Sequence, residues 1–174
     1  MRTVELTCVP DLDAEVRRVW RRLADAGVPG LASHPHPTNR PHLTVAACEA
    51  VPAAVLADVA ALLRRTLPLP ARSTGPVVLR AARGRHVLAL EVDPTVELLA
   101  LHGEVWDLLD GAPGPHPWLV PGRWRPHLSL TRPLDARGLA LAHAALPVPC
   151  RPAGTFDAAR SYDSGTRSTV ELSG

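Results

Sequence analysis

A chain of 174 residues with 46% hydrophobic and 21% charged residues is long enough for one generous globular domain, or for two small lobes sharing a core. Its net charge of +2 argues against a broad electrostatic grip on duplex DNA, while a local anion site in a cleft stays open. No apolar run approaches membrane-spanning length, and Cys8, Cys48 and Cys150 are odd in number, far apart and without a CxxC, which argues against a disulfide framework or a zinc knuckle.

All 19 basic residues are arginine, and lysine, isoleucine and glutamine are missing altogether. Arginine suits bidentate phosphate recognition, but the joint abundance of Ala, Arg, Pro and Gly is what a GC-rich coding bias produces. The opening MRTVELTCVPDLD has no apolar signal-like core, so a reducing cytoplasm is the expected setting.

In chain order, residues 3–9 (TVELTCV) are β-branched and partly alternating and read as a strand closed by Pro10. DLDAEVRRVWRRLADAG places Val16, Val19, Trp20 and Leu23 at helical spacing and ends on Gly27, with Trp20 assigned to the core. A Pro- and His-rich loop leads to the strand HLTVAAC (42–48). An amphipathic helix over 51–67 follows, and VVLRAA and HVLALEV then form a hairpin turning near Gly84. DPTVELLALHGEVWDLLDG is a third helix, with Asp93 as N-cap and Pro94 in the first turn. After the loop PGPHPWLVPGRWRP come a strand HLSLT (127–131), a short helix DARGLALAHAAL, and a final hairpin TFDAARSYDSGTRSTVEL turning near Gly165.

The order strand, helix, loop, His-strand, helix, hairpin occurs twice. Arg-Pro-His-Leu stands at 40–43 and again at 125–128, 85 residues on. Val19-Trp20-x-x-Leu23 recurs as Val105-Trp106-x-x-Leu109, and Pro29-Gly30 recurs as Pro113-Gly114. An offset that stays near 85 across several elements argues for two homologous halves. The expectation is therefore an α+β, bilobal, duplicated fold. Two antiparallel sheets with flanking helices would be related by a pseudo-two-fold axis around a central cleft. The whole of 1–174 forms one domain, made of halves at roughly 1–84 and 85–174.

Within a strand, residues i and i+2 share a face. His42 and Thr44 therefore project together, as do His127 and Ser129, while Leu43 and Leu128 point behind them into the core. Two imidazoles flanking a substrate suit concerted acid–base work near neutral pH. Thr44 and Ser129 can hold non-bridging phosphate oxygens as charge builds, and none of this needs a metal. A bare His-x-[Ser/Thr] is weak: His36-Pro37-Thr38 also fits, in a loop. The weight lies in two near-identical copies at equivalent points.

These motifs make the chain similar to the two-histidine (2H) phosphoesterase superfamily, which includes the 2′-5′ RNA ligase-like proteins and cyclic nucleotide phosphodiesterases. His42-Leu43-Thr44-Val45 and His127-Leu128-Ser129-Leu130 match both family motifs, and Arg132 fills the place of an arginine that many members carry after the second. The resemblance implies a bilobal α+β fold with no cofactor and no metal. It further implies opening of 2′,3′-cyclic phosphates or 2′-5′ ligation of RNA ends, with an RNA end or a small cyclic-phosphate nucleotide as substrate. The chain departs from the pattern at Ala46-Ala47-Cys48, where an aromatic residue often follows the first motif. Strict alternation puts Arg132 opposite His127, so a phosphate role for it requires the strand to twist or end before Pro133.

Further substrate-binding candidates are Arg40 and Arg125, each two residues before a motif histidine, Trp124 as a base-stacking surface, and Tyr162 as a groove-lining ring. Trp118 also flanks the second motif. A monomer is expected, because both motifs lie in one chain. Two other classes compete: a nucleotide- or RNA-binding module without turnover, and a metal-dependent hydrolase built on His34 and His36. The remaining histidines, His86, His102, His116 and His143, default to surface positions or ordinary packing.

Overall fold

Alternation in TVELT builds the first strand. In β1 (Arg2–Cys8) Val4 and Leu6 are buried in the core, and Thr3, Glu5 and Thr7 share the opposite face. Helix α1 (Pro10–Asp25) starts on proline at its first turn, where the missing N–H costs nothing, and buries Leu12, Val16, Val19, Trp20 and Leu23. Then come β2 (His42–Cys48), α2 (Ala53–Thr66), β3 (Leu69–Arg80) and β4 (His86–Val92). A tight turn joins β3 to β4, with Arg83 and Gly84 at φ of 58° and 66°. The chain ends with α3 (Val96–Leu108), β5 (His127–Ser129), α4 (Ala136–Ala145), β6 (Ala153–Asp163) and β7 (Ser168–Ser173). This computed structural model describes every residue except His34, Pro35, Pro37 and Gly174, so the His34 half of the metal candidate lies outside the described residues.

The strands form one antiparallel seven-stranded sheet in the order β2-β1-β6-β3-β4-β5, with β7 also on β6. Two separate sheets were expected, and β3 is the reason for the difference. It begins at Leu69, where the sequence reading began its hairpin only at Val77. Leu69–Arg72 pair with Phe156–Ala153, and Ser73–Arg80 pair with β4. Pro70, Gly75 and Pro76 hid this first half in the sequence. Gly75, at φ 135°, marks the register shift where β3 passes from one partner to the other. β2 and β5 stand at opposite ends of the strand order yet come together in space, which brings the two motif strands face to face.

Two local expectations change. The N-cap of α3 is Thr95, whose hydroxyl accepts the Leu98 N–H at 3.3 Å, because Asp93 stays extended and gives its own N–H to the Arg72 carbonyl. β5 stops at Ser129, short of Thr131. Thr131 forms an isolated bridge with Gly30, and its hydroxyl accepts the Leu88 N–H at 3.0 Å.

Candidate active site

Each motif strand buries its leucine and leaves its histidine and hydroxyl half-exposed. Leu43 and Leu128 are in the core, while His42, Thr44, His127 and Ser129 are partly open. The two imidazoles are held in the same way. Nδ1 of His42 lies 2.8 Å from the Arg40 carbonyl, and Nδ1 of His127 lies 2.7 Å from the Arg125 carbonyl. A carbonyl only accepts, so Nδ1 carries the proton in both neutral rings, and Nε2 is left with its lone pair. Each ring is thus fixed in the tautomer that takes a proton at Nε2 when neutral and donates one there when charged.

Burial holds His127 below the usual histidine range. The Arg125 carbonyl partly opposes this, and the nearby charges of His42 and Arg125 add to the lowering. His42 has a different neighbour: its Nε2 lies 3.8 Å from Oε1 of Glu5. Glu5 is buried, its Oε1 accepts from the Thr3 hydroxyl at 2.7 Å, and its Oε2 accepts from Nε of Arg160 at 2.8 Å. Arg160 also donates from Nη1 to the Thr38 carbonyl at 2.7 Å, tying Thr38 to the sheet.

Sequence reasoning missed this pair. Its one signal was an acidic residue between the apolar Val4 and Leu6 of β1. The partner is 155 residues away, and only the register of β1 on β6, with Glu5 opposite Arg160, joins them.

Because the β5 ladder ends at Ser129, Arg132 escapes strict alternation. It lines a cleft of about 290 Å³ together with Trp20, Asn39, Arg40, His42 and Ser129. Arg40 reaches this cleft while bonding the Cys8 carbonyl at 3.2 Å and facing Asp13 at 3.7 Å. Arg125 gives its guanidinium to Glu91 at 2.6 Å, so what it offers the site is its backbone carbonyl. Tyr162 lies beside Thr3 in the β1–β6 register, with its ring edge-on to His36 at 5.7 Å.

Trp124, expected as a stacking surface for a base, is itself stacked. One face lies on His102 at 4.0 Å and 5°, and its Nε1 donates to the Thr44 carbonyl at 2.9 Å. His102, assigned by default to the surface or ordinary packing, is buried beneath it with Nε2 2.7 Å from the Leu119 carbonyl. Trp20 is buried as expected, but its Nε1 also donates to the Ser129 carbonyl at 3.0 Å.

No group of three or more His, Cys, Asp or Glu side chains arranged to hold a metal gathers among the described residues, and none of the described helices is long and apolar enough to cross a membrane.

A family model for the 2′-5′ RNA ligase superfamily matches residues 8–160. The chain belongs to this superfamily. The match embraces both His-x-[Ser/Thr] motifs and Arg160, so the two-histidine resemblance drawn from the motifs holds. No curated protein matches the chain by sequence.

Among solved structures, Usb1 of Kluyveromyces marxianus is similar at a TM-score of 0.58 and 13% identity, over 98% of this chain and 96% of that one. The same Usb1 with uridine monophosphate is similar at 0.55 and 13%, with the same coverage. A phosphoesterase crystal structure gives 0.58 and 16%, over 98% of this chain and 92% of the other. At these identities the likeness establishes that this superfamily member shares their α+β fold.

Proposed function

We propose that this member of the 2′-5′ RNA ligase superfamily is a phosphodiesterase that opens 2′,3′-cyclic phosphates, at RNA ends or on small nucleotides, with two histidines and no metal. The observation that carries the reading is the matched pair of imidazoles. Each is fixed through Nδ1 by the carbonyl two residues earlier, and each is followed by a hydroxyl on the same strand face. Family membership and the binding of uridine monophosphate by the similar Usb1 favour a nucleotide or RNA end as substrate.

Burial disposes His127 to the neutral form, so His127 is the base that takes a proton from water. His42 then gives its Nε2 proton to the leaving sugar oxygen. Thr44, Ser129 and Arg132 hold the non-bridging oxygens, with the Arg132 guanidinium offsetting charge in the transition state. The same proton transfers, with an RNA hydroxyl in place of water, would give 2′-5′ ligation.

We also read the chain as one domain of two pseudo-symmetric halves. Exchanging β1 with β4, β2 with β5 and β3 with β6 reverses the strand order onto itself. At the centre Leu69 faces Phe156 and Arg72 faces Ala153, a register that the same exchange preserves.

The test is hydrolysis of 2′,3′-cyclic nucleotides, and of a short RNA ending in a cyclic phosphate, with EDTA present. Turnover that survives the chelator and is lost in both His42→Ala and His127→Ala is the expected result. Dependence on added metal would refute the metal-free scheme. A folded protein that binds these ligands without turning them over would favour the binding-module reading.

A further inference from the structure

β2 and β5 lie at opposite ends of the strand order, so no β-ladder sets the distance between the two motifs. Yet the proposed chemistry needs two imidazoles and two hydroxyls held to roughly 0.5 Å of their working positions. As end strands, β2 and β5 each pair with a single neighbour, which leaves carbonyls on their outer sides without a ladder partner.

Two of those carbonyls belong to the motif hydroxyl residues, and each is taken by an indole. Trp20 projects from α1, in the half that carries His42, and donates to the carbonyl of Ser129 in the other motif at 3.0 Å. Trp124 precedes His127 by three residues and donates to the carbonyl of Thr44 in the first motif at 2.9 Å. Each bond runs from the half bearing one histidine to the strand bearing the other.

The two donors are themselves anchored. Trp20 is 2% exposed and lies in the apolar stripe of α1, with the Arg17 guanidinium 5.5 Å from its ring centroid. Trp124 is stacked on buried His102. Nε2 of His102 lies within hydrogen-bond distance of both the Leu119 carbonyl and the Trp106 indole N–H, at 2.7 and 3.0 Å. The donors are not equivalent under the duplication, since Trp20 corresponds to Trp106. One carbonyl is therefore served from a helix and the other from a loop.

We infer that Trp20 and Trp124 are reciprocal positioning residues, whose indole N–H groups tie each half to the opposite motif strand and so fix the spacing of the two His-x-[Ser/Thr] pairs. This rests on the phosphodiesterase reading for its kinetic consequence, but not for the bonds themselves. Neither indole touches substrate in this role. Each acts through the backbone of the residue whose hydroxyl does.

The decisive variants remove the N–H and keep the ring: Trp20→Phe and Trp124→Phe, and benzothienylalanine, in which sulfur replaces the N–H, at each position. Misplacing reacting groups by about 1 Å costs on the order of 10²-fold. Loss of one tie is therefore expected to lower kcat about 10- to 100-fold on a 2′,3′-cyclic nucleotide, with KM within about twofold. 5-Fluorotryptophan, which retains the N–H, should lower kcat far less than benzothienylalanine at the same position. In the wild-type protein both indole protons should be protected from solvent exchange by NMR.

Unchanged kcat in folded Phe or benzothienylalanine variants would overturn the inference, as would a rise in KM alone or freely exchanging indole protons. A wild-type protein that turned over none of these substrates would fail the phosphodiesterase reading. The ties would then stand or fall on the exchange measurement.

Discussion

Removing one partner of the Glu5–Arg160 pair is the perturbation whose cost the structure fixes best. The two side chains are 5% and 6% exposed and 2.8 Å apart, and Arg160 also holds the Thr38 carbonyl. Arg160→Met leaves a buried carboxylate with only the Thr3 hydroxyl and the His42 ring beside it. An uncompensated buried charge of this kind costs about 3–5 kcal/mol. For a chain of this size that is a fall in Tm on the order of 10 °C.

The internal control is Arg65–Glu104, 3.4 Å apart but 63% and 54% exposed. Arg65→Ala should cost no more than about 1 kcal/mol. Urea unfolding at pH 7, followed by tryptophan fluorescence, measures all the variants on one scale. The double variant Glu5→Gln/Arg160→Met should recover much of the single-variant loss, because neither charge is then stranded. An Arg160→Met cost as small as that of Arg65→Ala would refute the reasoning. So would a double variant that merely adds the two single costs.

Three further outcomes follow from named contacts. Ser129→Ala should lower kcat about 10²- to 10³-fold if its hydroxyl stabilises transition-state charge, read by steady-state kinetics with the melting temperature unchanged. Thr131→Val strips the buried Leu88 N–H of its acceptor and should cost about 1–3 kcal/mol in urea unfolding. For His127, the folded state resists protonation more than the unfolded state does. Stability should therefore rise with pH across the ordinary histidine range, with the deficit fully present below the lowered folded value. A plot of unfolding free energy against pH for His127→Asn should lose that contribution.

The motif residues were legible because strand alternation is local. His42 with Thr44 and His127 with Ser129 need only a period of two, and the repeat near 85 residues identified the strands that carry them. Pairings set by register between distant segments were not legible. Nothing near Glu5 announces Arg160, and nothing near Thr44 announces Trp124. Strict alternation aims Arg132 away from His127, but the ladder ends at Ser129, so the condition set for Arg132 is met and it lines the cleft. The single sheet was missed because Pro70, Gly75 and Pro76 read as loop, yet they lie in the strand that joins its two parts.

The duplicated motifs suggest two interchangeable histidines, but the strands beside them differ. Glu5, opposite Arg160 on β6 and Thr44 on β2, corresponds under the exchange of halves to Ala89, opposite Val77 on β3 and Ser129 on β5. The first motif therefore adjoins a buried ion pair, whereas the second adjoins the buried apolar Ala89 and Val77 and the more exposed Glu91–Arg125 pair. The surroundings of the two rings are thus not equivalent: burial opposes a charge on His127, and the Glu91 carboxylate across from it is taken by Arg125. The backbone supplies the symmetry, by fixing both Nδ1 atoms alike. The side chains one strand away set the two histidines in different surroundings. Adding such a pair beside the second motif tests this: in folded Ala89→Glu/Val77→Arg, the new carboxylate should raise the pH at which NMR sees His127 titrate. An unchanged His127 titration would refute the reasoning that these neighbouring side chains set its charge.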